Sequence, residues 1–308
     1  MLVFFIHGVA TRQDGYAGEL IKKIREKFHE RSQPFPYFYS SRWGGVLKNA
    51  PPLWNYVQQD LIDFQKTSEV DIGDVFQYIQ YREFFIDKFF GDLFTYLNPD
   101  YGWEIRKVIA MQLIEFLKKY PDENELHIVA HSLGGVILWD ILFSDKFKPS
   151  DPAFFIRSVI RGLTNSSGIH QVSLGSITTM GTPLLLFNPM LGINFKTLKL
   201  FGTRYTGRPL GWVNIIHASD VLAYPIRASF NIKLEDGIFL RDKFMASHNL
   251  WKKVAQPLGG LAGLSMAKGL ESAHKSYWSR SRVARLVTAN ILGDHESIDS
   301  ANPFRQWF

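Results

Sequence analysis

The sequence predicts an α/β fold in which one mostly parallel sheet is flanked by helices. Three observations carry that prediction. Short apolar runs bounded by glycine or proline read as buried strands, and amphipathic stretches of helical spacing fall between them. The third is their order: strands and helices alternate along the chain instead of gathering into blocks. A single domain over residues 1–308 follows, with no internal repeat.

Taken in order, "LVFFIHG" is a β-branched and aromatic run stopped by Gly8, the form of a buried strand. "YAGELIKKIREKFHERS" places Leu20, Ile21, Ile24 and Phe28 on one helical face. "FPYFYSSRWGG" resembles a second strand. Residues 50–98 form a helical insertion dense in rings, among them Trp54, Phe64, Phe89, Phe90, Phe94 and Tyr96. "WEIRKVIAMQLIEFLKKY" is a helix ended by Pro121, because proline cannot continue the hydrogen-bond ladder. "ELHIVA" is a strand running into Ser132, and "GGVILWDILF" is a helix leaving it.

Beyond the serine, "VSLGSITTMGTP" and "GWVNIIHASD" read as two more buried strands. "FNIKLEDGIFLRDKF" suggests a hairpin around Asp236-Gly237. Residues 244–272, which include the Gly- and Ala-rich "AQPLGGLAGLSMAKGLESA", read as a flexible second insertion. "SYWSRSRVARLVTANIL" is a final amphipathic helix, followed by a polar tail.

Composition narrows the chemistry. The chain has no cysteine, so disulfides, thiol nucleophiles and cysteine-held metals are excluded. A net charge of +6 is mild and reads as solubility, so no nucleic-acid partner is expected. The apolar N-terminus lacks a basic n-region, and no run reaches the ~18 apolar residues of a membrane span. Cytoplasmic residence is the expectation, with leaderless export left open. His127 and His131 flank a strand and cannot converge on a metal as a helical pair would. No metal and no cofactor are expected. "PLGGLAGLSMAKG" lacks the spacing of a phosphate loop. The basic cluster of Lys275, Arg280, Arg282 and Arg285 reads as a solvated helix face in preference to an anion site.

The chemistry-bearing feature is the corner "LHIVAHSLGG". A serine between a strand and a helix is forced into a strained backbone conformation, so the residues two before and two after it must be small. Here they are Ala130 and Gly134. The hydroxyl of Ser132 then stands clear of the sheet, and the backbone N–H of Leu133 faces the same space from a helix N-terminus.

"VAHSLGG" resembles the nucleophile elbow of α/β-hydrolases, in the lipase- and esterase-like branch that carries A-H-S-L-G. Ala130 departs from the glycine of G-x-S-x-G but is still small. The resemblance extends over nearly the whole chain. "FFIHGVATR" is similar to the strand-end His-Gly of lipases, which implies Val9 as a second oxyanion donor and the absence of the full fold's first two strands. "WVNIIHASDVLAYP" is similar to the strand and turn that carry the acid, implying Asp220. "ESAHKSYWSRSRVARLV" resembles the loop before the last helix and implies His274 as the base, while "MASHNLW" keeps His248 as an alternative. Ser132, Asp220 and His274 fall in the family's Ser…Asp…His order.

The resemblance implies a serine hydrolase acting on a carboxylic ester through an acyl-enzyme. The ring-rich insertion points to an apolar acyl chain, with the substrate a small-molecule or lipid ester and contact with a membrane or lipid surface left open. A thioesterase, a small-ester esterase and a non-catalytic binding module of the same fold remain alternatives, and the oligomeric state is open.

Overall fold

The computed structural model describes residues 1–9, 15–49, 53–68, 90–164, 170–191, 198, 208–230, 237–245 and 272–300. At its centre lie β1 (Leu2–Ile6), β2 (Tyr37–Ser41), β3 (Glu125–His131), β4 (Ser173–Met180), β5 (Leu210–His217) and β6 (Ile238–Met245). They form one six-stranded sheet in the order β2-β1-β3-β4-β5-β6. Every pairing is parallel.

The helices of the described residues are α1 (Gly18–Glu30), α2 (Leu53–Ser68), α3 (Gly91–Leu97), α4 (Pro99–Lys119), α5 (Leu133–Phe143), α6 (Pro152–Val159), α7 (Leu184–Leu191), α8 (Arg227–Phe230), α9 (Ser281–Ile291) and α10 (His295–Ser300). Successive side chains of a strand point to opposite faces, and β1 divides accordingly. Val3 and Phe5 meet Leu20, Ile24 and Phe28 of α1 and Val283 and Val287 of α9. Leu2, Phe4 and Ile6 meet Ile105, Ile109 and Phe116 of α4 and Val136 and Ile137 of α5. A strand buried on both faces has no polar alternation, which is why the sequence shows β1 as an unbroken apolar run.

The strand order reverses at β1. The chain steps to β2 on one side and then places β3 to β6 on the other. In open α/β sheets the crevice outside the carboxyl ends at such a reversal is where ligands bind. Gly8 follows β1 and Ser132 follows β3, so both lie at that crevice.

A buried polar network fastens α3 and α5 together. The Tyr96 hydroxyl of α3 donates to Asp140 Oδ2 at 2.6 Å, and Lys146 pairs with the other carboxylate oxygen at 2.8 Å. Arg157 of α6 caps the end of α5 by donating to the Ile141 and Ser144 carbonyls. Thus Tyr96 is an anchor of the ring-rich insertion, whereas Tyr56, Phe64, Phe90 and Phe94 are exposed.

Some element boundaries differ from expectation. β6 pairs in parallel with β5 and is the last strand of the described sheet; the first arm of the expected hairpin, residues 231–236, lies outside the described residues. Phe244 and Met245 belong to β6, and residues 246–271 of the second insertion also lie outside. The polar tail begins with a helix, α10, whose Ile298 is buried against the α9 side. Among the described residues no helix is long and apolar enough to cross a membrane.

Candidate active site

Ser132 joins β3 directly to α5 with φ 54° and ψ −129°. A non-glycine residue in this region costs ~1–3 kcal/mol, so the surroundings must impose it. Those surroundings are two glycines. A Cβ on Gly134 would lie 2.3 Å from the His7 carbonyl oxygen and 2.6 Å from that of Ile6. A Cβ on Gly8 would lie 2.3 Å from Ser132 Cβ. The end of β1 therefore touches the corner only because both contact points lack side chains. The backbone N–H of Ser132 donates to the Met180 carbonyl at 2.9 Å, fixing the corner to β4.

From the Ser132 hydroxyl a line of hydrogen bonds runs inward. Ser132 Oγ lies 2.8 Å from His274 Nε2, and His274 Nδ1 lies 2.9 Å from Asp220 Oδ2. A carboxylate only accepts, so Nδ1 carries the imidazole proton and Nε2 offers its lone pair to the serine. Asp220 sits three residues past the end of β5. It also accepts from the Tyr277 hydroxyl at 2.9 Å and the Leu222 amide at 3.1 Å. Burial alone would raise the Asp220 carboxyl, but the bond from His274 and these further donors hold it below the usual value. Tyr277 moves the other way, pushed up by burial and by Asp220, so it keeps its proton and donates.

Tyr277 received no role from the sequence, although it stands three residues after His274. Its hydroxyl also accepts from the His217 amide at 2.8 Å, which joins the His274 loop to the end of β5. Gly181 makes room for this meeting. With φ 58°, its absent Cβ would lie 2.7 Å from Asp220 Oδ2 and 2.8 Å from the Tyr277 ring.

On the other side of Ser132, His7 Nδ1 lies 2.7 Å from the Gly8 carbonyl oxygen and donates to it. A trans peptide points its N–H opposite to its C=O, so fixing the Gly8 carbonyl fixes the direction of the Val9 amide. His7 is itself clamped. Trp43 stacks on it at 4.7 Å, Tyr16 meets it edge-on at 5.1 Å, and the Trp43 indole donates to its carbonyl at 3.0 Å. The Leu133 amide lies in the first turn of α5, where N–H groups have no intrahelical acceptor.

The structure thus brings together Ser132, His274 and Asp220, with Leu133 next in the chain and Gly8, which precedes Val9, against the serine. His248 lies outside the described residues. Arg280 of the basic cluster bonds His217 at 3.0 Å and Ser276 at 2.9 Å. No family model matches the chain, and no curated protein matches it.

Four buried histidines, three of them at the site and His127 further back along β3, have a measurable consequence. Burial disfavours the charged imidazole, holding His7 and His217 at about 4 and His127 and His131 at about 3. In the unfolded chain each titrates near 6.5. Their folded values are depressed, so the stability they contribute is complete above that value and is lost as pH falls towards 4. Unfolding at a pH of about 5 is expected to take up about four protons from these side chains. Calorimetry across this range checks it, and a Tm that stays level between pH 6.5 and 4 would contradict it.

Proposed function

We propose that the chain is a serine hydrolase of the α/β-hydrolase fold that cleaves carboxylic esters. The observation that carries this reading is the unbroken line from Ser132 through His274 to Asp220, beginning at a strained strand-to-helix corner. On this reading Ser132 Oγ attacks the ester carbonyl while His274 Nε2 takes its proton. Asp220 keeps the imidazole in the Nδ1–H tautomer and stabilises it once charged. The amides of Val9 and Leu133 hold the developing oxyanion. His274 then protonates the leaving alcohol, and the acyl-enzyme is hydrolysed by a water that the same histidine activates. These steps draw on protein groups alone.

The test is labelling of the wild-type protein with a fluorophosphonate probe, followed by peptide mapping. The label is expected on the peptide that contains Ser132. A folded protein that takes no label would leave the non-catalytic binding module instead.

An apolar acyl group is favoured by the surface around the crevice. Leu186 and Met190 on α7 and Val221 and Tyr224 after β5 follow the carboxyl ends of β4 and β5, and all four are exposed. Phe90 and Phe94 stack at 5.9 Å and are exposed as well, which suits a cap over an acyl chain. Phe89, a second ring candidate, lies outside the described residues. With p-nitrophenyl esters, each methylene that fits should add ~0.8 kcal/mol, nearly fourfold in kcat/KM. Phe90→Ala is expected to flatten that climb more than it lowers acetate turnover. If activity stops rising beyond butyrate, the acyl pocket is refuted and a small-ester esterase remains.

A further inference from the structure

His131 is the last residue of β3 and the immediate neighbour of Ser132. Alternation along the strand puts it on the face of Val129, which packs in the α1 and α9 core, below the loop that carries His274. Its ring lies 4.8 Å from that of His274, 5.5 Å from Tyr277 and 5.4 Å from Trp278. Its Nε2 lies 2.8 Å from the main-chain carbonyl oxygen of His274. A carbonyl can only accept, so Nε2 carries the ring's proton. Nδ1 is then a bare acceptor, buried and without a hydrogen-bond partner among the described residues.

We propose that His131 is a positioning residue, whose Nε2–H grips the main chain of His274 and so holds its imidazole on the line between Ser132 and Asp220. The inference rests on the hydrolase reading. The imidazole of His274 is held through Nδ1 at all stages of such a reaction, but its Nε2 bond to Ser132 is surrendered once the serine oxygen is acylated. A second anchor that does not depend on the serine hydroxyl then keeps the base in place. His131 supplies it from the residue next to the nucleophile, so base and nucleophile are spaced by a single peptide unit and not across the sheet. Burial keeps the His131 ring neutral, which spares His274 a like charge when it takes the proton. The orphaned Nδ1 argues against a filling role, since an apolar side chain would fill the space without burying an unpaired acceptor.

The side-chain amide nitrogen of glutamine reaches where histidine Nε2 stands, and that of asparagine where Nδ1 stands. Ester hydrolysis, fluorophosphonate labelling and thermal unfolding are therefore compared for wild type, His131→Leu, His131→Asn and His131→Gln. Misplacing a catalytic group by about 1 Å costs on the order of 100-fold, so the Leu and Asn variants are expected to lose about that much in kcat with KM within about threefold. The Gln variant is expected to recover to within about tenfold of wild type. If the Leu variant does not fold, the Asn and Gln pair carries the comparison. Leu or Asn variants that turn over like wild type, or a folded Gln variant as slow as Asn, overturn the inference and leave the hydrolase reading intact. A wild-type protein unlabelled at Ser132 removes both.

Discussion

Ser132→Ala is expected to lower kcat by on the order of 10⁶-fold and to abolish fluorophosphonate labelling, with Tm almost unchanged. The hydroxyl's bond to His274 Nε2 is all that the substitution removes from the corner. Alanine keeps the Cβ, so the strain at φ 54° is the same, and the backbone bond to Met180 persists. His274→Ala should fall to the same level, because members of such a constellation act as one unit. The stability cost there is larger, since Asp220 is left buried with one donor fewer. A label on another serine would end the assignment of Ser132. A His274→Ala protein that keeps more than about a hundredth of wild-type kcat would move the base to His248.

The second large effect is expected from a methyl group. In Gly134→Ala the new Cβ points at the carbonyl oxygens of Ile6 and His7, at 2.6 and 2.3 Å. Neither can step aside by turning a bond, because Ile6 ends β1, which is paired on both sides, and His7 follows it with its carbonyl held by the Trp43 indole. Either α5 tips and takes Ser132 with it, or the end of β1 shifts and takes Gly8 and Val9. Overpacking of this kind costs about 1–3 kcal/mol, and a displacement near 1 Å at the site lowers kcat by about 100-fold. Thermal unfolding and ester turnover measure the two losses. A Gly134→Ala protein with wild-type values of both would show that the contact relaxes elsewhere.

How much of this could be read from the sequence depends on the range of each interaction. β1, β3, β4 and β5 were legible because each is a short, mostly buried run rich in apolar and β-branched residues and bounded by breakers, and the corner was legible because sterics confine it to small residues nearby. The parallel pairing of β6 was not. Asp236-Gly237 announces a turn, but the partner strand is set by tertiary packing, and it proves to be β5, with Leu210 opposite Ile238. At the site, the residue types and their order marked Ser132, Asp220 and His274. What surrounds them was hidden. Tyr277 reaches Asp220, Trp43 stacks on His7 and His131 grips the His274 carbonyl only after the loops have closed, and no local spacing encodes those meetings.

That dependence on closure shapes how the protein comes to life as a molecule. Leu2 pairs with Leu126 across the β1–β3 seam, and the contact from Ser132 to His274 spans 142 positions of chain. Contacts so distant in sequence are slow to form, because loop entropy is surrendered before any bonding returns it. The corner can be strained only once β1 and β3 are side by side, and the base can arrive only once the residues around 274 have docked. No partly assembled form therefore holds Ser132, His274 and Asp220 together. During refolding, spectroscopic recovery of the helices is expected to run ahead of fluorophosphonate labelling at Ser132, since a chain still in transit has not yet brought His274 to the corner.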